Sequence, residues 1–249
     1  MLRKATIGIA LGIALLFIGF QMFSFFSTVF IMETAILPGE EDVVIRNGDT
    51  SVNQLAFTCN VDWGDDVIPT MLDIFKEKDI EITFFVTGQW AENHPTLLRK
   101  MYVGGHEIQN HGYGHKLSSR LSQEETRKEI TDTEIIINLF LGVETTVFAP
   151  PSGDYNKNTV DLCREMGYTL SLWSVDTIDW RAGSTASVIT ERVLKKPLKG
   201  AIILMHPKPE TVKALPGLID EIRKQGIEIV KIEDIIKPKQ GVVYIKEKN

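Results

Sequence analysis

The sequence predicts an α/β fold: an irregular (β/α) barrel of about seven parallel strands, preceded by an N-terminal transmembrane helix. Three observations lead there. Short apolar runs alternate with longer amphipathic segments through most of the chain, the pattern of successive βα units. Six or seven such units fit into about 185 residues, which suits a barrel better than an open sheet. The first 32 residues differ in composition from everything after them.

From Ala5 to Met32 there is no charged residue, and Ile, Leu, Phe, Ala and Gly dominate. That run exceeds the ~20 residues a helix needs to cross a bilayer. Arg3 and Lys4 precede it and Glu33, Glu40, Glu41 and Asp42 follow, so the positive-inside rule puts the N-terminus in the cytoplasm and the remainder outside. Residues 1–32 are therefore expected to be an uncleaved single-pass anchor in the cell membrane. A cleaved signal peptide would have a shorter apolar region ending at small residues, whereas Phe23, Phe25, Phe26, Val29 and Phe30 occupy that place. Residues 33–52, with Pro38, Gly39, Gly48 and several acids, read as a linker holding one short hairpin. Residues 53–237 read as the extracytoplasmic domain and 238–249 as a lysine-bearing tail.

Within the domain, Leu55–Thr58, Ile82–Val86, Thr146–Phe148, Thr169–Trp173, Ala201–Met205 and Ile227–Val230 read as buried strands. Val67–Lys78 places Val67, Ile68, Met71, Leu72, Ile74 and Phe75 at helical spacing. Ser122–Leu141, Asn158–Met166, Ser187–Leu194 and Thr211–Gln225 have the same character, and Ser122 with Glu125 has the spacing of a capping box. A formal net charge of −6, with no concentrated run of Lys or Arg, argues against nucleic acid as a partner. Cys59 and Cys163 are no disulfide framework, and both fall in apolar runs, so buried free thiols are expected.

In α/β barrels and sheets, sites form at the C-terminal ends of the strands. Just beyond the strands named above stand Asn60 and Asp62, Pro150–Gly153, Asp176 and Asp179, and His206. His111 and His115 are four apart, a spacing that brings two imidazoles to one face of a helical turn, although Gly112 and Gly114 disfavour a regular helix. A third metal ligand has to come from elsewhere, and Asp62, closing the first strand in Asn60-Val-Asp-Trp-Gly64, is the best placed. Two imidazoles and a carboxylate leave a coordination position open, the pattern of catalytic sites. Asp65 and Asp66 are the alternatives to Asp62, but they follow the turn and read better as carboxylates at a helix N-terminus.

These segments resemble the polysaccharide deacetylases of the NodB-homology, or carbohydrate esterase 4, family across about Leu55 to Ile236. Five motifs stand in the family's order: Asn60–Gly64, His111–His115, Phe148-Ala-Pro-Pro-Ser-Gly153, Val175-Asp-Thr-Ile-Asp-Trp180 and Ile203-Leu-Met-His206. The subgroup looks most like the sporulation-associated deacetylases of spore-forming Firmicutes. The resemblance implies that Asp62, His111 and His115 hold a divalent metal, zinc first, with cobalt, manganese, nickel or ferrous iron as substitutes. It implies His206 as the general acid and Asp179 as its orienting partner, with Asp176 the lesser candidate. The Ser152 N–H would donate to the oxyanion in the turn with Pro151 and Gly153, and Trp180 and Leu204 would wall the acetyl pocket.

Two positions depart from the family pattern. The catalytic base, a carboxylate ahead of the metal Asp, is matched by Asn60, and the arginine that pairs with it by Ala149. The losses are coupled, because an arginine without its carboxylate would be an uncompensated buried charge. An amide cannot take a proton from water, and general-base assistance contributes roughly 10²–10⁴-fold. The expected function is metal-dependent N-deacetylation of an amino-sugar polymer, peptidoglycan or a similar wall glycan, at reduced rate. The alternative is a catalytically impaired metal- or glycan-binding homologue with a structural or sporulation role. The sequence sets no oligomeric state.

Overall fold

The computed structural model describes residues 39–236. Two units are distinguished, Met1–Glu40 and Glu41–Asn249, and every element below belongs to the second. The expected membrane segment and C-terminal tail lie outside the described residues; among the described residues no helix is long and apolar enough to cross a membrane.

Nine strands form one sheet: β1 (Val44–Ile45), β2 (Gln54–Val61), β3 (Thr83–Val86), β4 (Glu107–Asn110), β5 (Val147–Phe148), β6 (Thr169–Ser171), β7 (Val175–Asp176), β8 (Ile202–Met205) and β9 (Glu228–Val230). Their order is β1-β6-β5-β4-β3-β2-β8-β7, with β9 also paired to β2, and all the ladders are parallel. The helices are α1 (Ile68–Glu77), α2 (Gly88–Asn93), α3 (Pro95–Val103), α4 (Gln123–Leu141), α5 (Lys157–Met166), α6 (Ala186–Leu194), α7 (Pro209–Lys224) and α8 (Ile232–Ile235).

Three residues separate β6 from β7, yet β6 pairs with β5 and β1 while β7 pairs with β8. A single bent stretch therefore crosses from β6, next to the β1 edge of the curled sheet, to β7 at the opposite edge. The Leu172 N–H donates to Ile45 and the Ser174 N–H to Ile202 along the way. The six strands named from the sequence all form, and β1, β4 and β7 bring the total among the described residues to nine, against the expected seven or so. Val44 and Ile45 were placed in a linker hairpin; they pair instead with β6, and Val43 is already 1% exposed.

β2 is central and buried along nearly its whole length, as expected of a strand covered on both sides. Its alternate residues divide between two cores. Phe57, Cys59 and Val61 join the cluster beneath the helices, where Ile68, Met71 and Phe75 of α1 also pack. Ala56 points the other way, into the interior of the curl with Phe85, Val147, Ala149, Ile202, Ile232 and Ile235. The period of two puts Thr58, Asn60 and then Asp62 on that same inner face. The capping box of Ser122 and Glu125 is present at the start of α4, and Gly142 (φ 70°) closes its C-terminus. Cys59 and Cys163 are both buried.

Candidate functional site

The C-terminal ends of β2, β3 and β4 stand in register, Val61 beside Val86 and Val86 beside Asn110. The next residues along are Asp62, Thr87 and His111. Thr87 does two things there: its hydroxyl donates to Asp62 Oδ1 (3.0 Å) and accepts the Trp90 N–H (3.3 Å) at the start of α2. Asp62 and His111 are thus two ladder steps apart, roughly 9–10 Å at the backbone.

His111 is 1% exposed, and its Nδ1–H donates to the Ala149 carbonyl (2.7 Å). A carbonyl only accepts, so the proton is on Nδ1 and the Nε2 lone pair is left for a ligand. Burial, reinforced by His115 and His206, lowers the His111 pKa to about 3, so the ring is neutral at physiological pH. The His115 ring lies 5.1 Å from it, centroid to centroid, at 68°. The pair does not sit on a helical turn. His111 follows β4, Gly112 has φ 74°, and His115 itself takes a left-handed conformation (φ 53°). His106, the third histidine of the segment, belongs elsewhere: it is buried at the opposite end of β4 between Phe75 and Phe84.

His206 and Asp179 are paired directly. Asp179, its side chain wholly buried, accepts the His206 Nδ1–H at Oδ1 (2.8 Å) and the His206 backbone N–H at Oδ2 (2.7 Å). Thr211 of α7 donates its hydroxyl to the same Oδ2 (2.8 Å). His206 Nε2 is directed away from the carboxylate. Asp176 is not the partner: it ends β7, takes the Ile178 N–H (2.6 Å), and burial raises its pKa. Trp63 stacks on His206, centroids 6.2 Å apart and planes within 12°, and Lys208 Nζ lies 4.1 Å from the centroid of the Trp63 ring. Gly64 (φ 91°) makes this possible, since a Cβ there would come within 2.4 Å of Pro207.

Pro151–Gly153 forms a tight turn after β5, with Ser152 left-handed (φ 58°). The N–H groups of Gly153 and Asp154 are used by the carbonyls of Pro150 and Pro151, so the Ser152 N–H lies outside the turn's own bonds. Pro151 approaches Gly112, linking this turn to the histidine loop. Leu204 is buried in β8 beside Thr58 and Asp176, and Trp180 is 53% exposed with Arg181 stacked 5.2 Å from its ring. Asn60 (6% exposed) and Ala149 (5%) are both buried; Asn60 and His206 stand one step beyond the last β2–β8 ladder pair, Cys59–Met205. Asp65 and Asp66 precede the N-cap Val67 of α1, and the helix has no acidic residue in its first turn.

The donor chemistry of His111 and His115 suits a divalent metal, the first by its neutral ring and unengaged Nε2. Asp62 keeps one carboxylate oxygen beyond the Thr87 bond. Among the described residues no three His, Cys, Asp or Glu side chains are already grouped as a metal cage. Trp63, Thr87 and Thr211 were not singled out from the sequence. Only Trp63, an aromatic beside the candidate ligand Asp62, carried a local signal.

Comparison with known proteins gives the family. The polysaccharide deacetylase family model matches residues 47–171. The Bacillus subtilis protein YlxY is 35% identical over 192 residues, 77% of this chain and 60% of that protein. A peptidoglycan-N-acetylglucosamine deacetylase of Bacillus cereus is 32% identical over 174 residues, 68% of this chain and 63% of the other. The chain thus spans about three fifths of the length of both relatives. A CE4 family pseudoenzyme from Bacillus anthracis, BA3943, has a solved structure that is 31% identical, with a TM-score of 0.76 over 78% of this chain and 69% of that one. A BA3943 mutant with restored enzymatic activity matches with the same TM-score. By sequence and fold, the chain belongs to the polysaccharide deacetylase family.

Proposed function

We propose that this chain carries a deacetylase site for an amino-sugar polymer of the cell wall, with hydrolysis slowed because an amide stands where the base should be. The observation behind this is the contrast between two halves of one site. Asp179, His206 and Thr211 form a complete acid assembly, whereas Asn60, two residues before Asp62 on the same inner face of β2, has no proton-accepting carboxylate.

In this reading His206, held by Asp179, delivers a proton from Nε2 to the leaving amine nitrogen, and the Ser152 N–H donates to the developing oxyanion. Trp180 and Leu204 would wall the acetyl pocket, and Trp63, stacked on His206, would pack beside the acid. His111, His115 and Asp62 would hold a divalent ion, zinc first, which supplies Lewis acidity toward the acetamide carbonyl and the attacking water. Asn60 can orient that water but cannot take its proton. Ala149 fits the same account: its side chain lies in the apolar interior with Phe85 and Val147, where an arginine without a partner would be costly. The N-terminal 32 residues would tether the domain to the outer face of the cell membrane, beside its polymer.

The second reading, a metal- or glycan-binding homologue without turnover and with a structural or sporulation role, is favoured by Asn60 and Ala149 and by the likeness to the BA3943 pseudoenzyme. Titration of the full chain with zinc and acetylated peptidoglycan fragments, with acetate release followed in parallel, separates the two. Slow release abolished by His111→Ala supports the first reading. Binding of both ligands with no release supports the second, and failure to bind either removes both.

A further inference from the structure

The loop that carries the two histidines is held in an unusual way. Residues 112–114 are fixed from one side by α2, whose Gly88 and Gln89 N–H groups donate to the Gly112 and Tyr113 carbonyls. From the other side, Glu129 of α4 reaches in. This glutamate is 7% exposed, and its Oε2 accepts the Gly114 N–H at 2.6 Å while Oε1 pairs with Lys116 Nζ at 2.8 Å. One carboxylate therefore grips the residues immediately before and after His115. Between them His115 is left-handed (φ 53°), a conformation that a residue with a Cβ adopts only when its surroundings hold it there. Both loop glycines lie against the same carboxylate: a Cβ on Gly112 would stand 3.6 Å from Oε2, and one on Gly114 3.7 Å from Oε1.

A buried carboxylate on an otherwise ordinary amphipathic helix needs a reason to be there, since burial disfavours its charge. Its neighbours on the same face, Thr126, Ile130, Thr133 and Ile137, are all buried and none is ionisable. Asn110 braces the loop's other end, accepting the Gly112 N–H (2.9 Å) while donating to the Ile130 carbonyl, so both braces run to one turn of α4.

We infer that Glu129 is a positioning residue for the candidate metal site: it clamps Gly114 and Lys116 so that His115 presents its imidazole beside His111. This deepens the proposed function and rests on it, because the geometry matters for catalysis only if the two imidazoles bind a metal. Glu129 does not touch the metal or the substrate. It acts through the Gly114 backbone N–H before His115 and the Lys116 ammonium after it, as outer partners of ligands do at metal centres.

The test uses the full chain with Glu129→Ala, Glu129→Gln and, as a control for simple loss of stability, Ile137→Ala on the core face of the same helix. Zinc affinity is measured by calorimetry, and exchange of the Gly114 amide proton by NMR without metal. Glu129→Ala is expected to weaken zinc binding roughly 10–100-fold and to speed Gly114 exchange by roughly tenfold or more. Glu129→Gln, which keeps an oxygen for the Gly114 N–H, recovers most of both. Ile137→Ala lowers the melting temperature with little change in zinc affinity. Unchanged zinc affinity in Glu129→Ala, or a loss matched by Ile137→Ala, overturns the inference. Should the wild type take up no zinc, the metal-dependent function falls, and the Gly114 exchange rates still report whether Glu129 holds the loop: equal rates in wild type and Glu129→Ala overturn that as well.

Discussion

Replacing Asp179 with Asn removes one atom's worth of chemistry from the best-ordered part of the site. The carboxylate accepts three hydrogen bonds, from His206 N, His206 Nδ1 and Thr211 Oγ1, at 2.7, 2.8 and 2.8 Å. An amide offers one oxygen in place of two and turns an NH2 group toward at least one of these donors. If the oxygen stays at the Oδ2 position, it keeps His206 N and Thr211, and the imidazole Nδ1–H faces an N–H. If it flips, two donors lose their acceptor. Each lost bond to a charged group is worth about 1.5–3 kcal/mol, and an unsatisfied buried donor costs about 1–3 kcal/mol, so Asp179→Asn is expected to destabilise the fold by about 2–4 kcal/mol. Thr211→Val, which leaves the His206 bonds intact, is expected to cost only about 1 kcal/mol. Urea unfolding at neutral pH measures both. In a background with Asn60→Asp and Ala149→Arg, where turnover is expected, Asp179→Asn should further lower kcat by roughly 10²–10⁴-fold through loss of the oriented acid. A stability change under 1 kcal/mol together with undiminished turnover would refute the assignment of Asp179 as the holder of His206.

Two other perturbations follow from the same physical reasoning. At the closed end of the sheet, burial raises the Glu107 pKa from 4.5 to about 7, so the folded state holds that proton more tightly and stability falls as pH rises through this window. At about 1.4 kcal/mol per pH unit the loss is at most about 3 kcal/mol, and Glu107→Gln should flatten this alkaline limb in urea titrations. Neighbouring His106, lowered by burial from 6.5 to about 4, works with the opposite sign: stability falls as pH drops through that range, and this acid limb should survive in Glu107→Gln. Gly64→Ala would put a methyl group 2.4 Å from Pro207 Cγ at φ 91°. It is expected to cost more than about 1 kcal/mol and to shift the Trp63 fluorescence as the stack on His206 opens, both read in one unfolding experiment.

Much of the site was legible in the sequence because its residues follow strands whose apolar runs are plain. Thr58-Cys-Asn-Val-Asp62 and Ile203-Leu-Met-His206 each end a buried strand, and the ends of parallel strands meet at one rim. The expected helices also formed, with the Ser122–Glu125 box among them. β4 escaped because Glu107-Ile-Gln-Asn has one apolar residue. Its inward side chains are paired instead of apolar, Glu107 with Thr83 (2.6 Å) and Gln109 with both Glu107 and Glu233. β1 and β7 are two residues each, too short for any period to show, and α2 and α3 are short helices begun by the Thr87 cap and by Pro95. The supporting contacts were out of reach for a different reason. Thr87 meets Asp62 across 25 residues, and Thr211 meets Asp179 across 32, so only the fold brings them together. The histidine pair was expected at helical spacing, yet the structure brings the rings together through a left-handed His115 in a loop.

In the proposed function the site keeps its His206–Asp179 pair and lacks a base at Asn60. The most direct measurement compares acetate release from acetylated peptidoglycan by the zinc-loaded full chain and by the double variant Asn60→Asp, Ala149→Arg. A rise of roughly 10²–10⁴-fold in the variant is the predicted result. Equal rates, whether both fast or both nil with zinc bound, would contradict it.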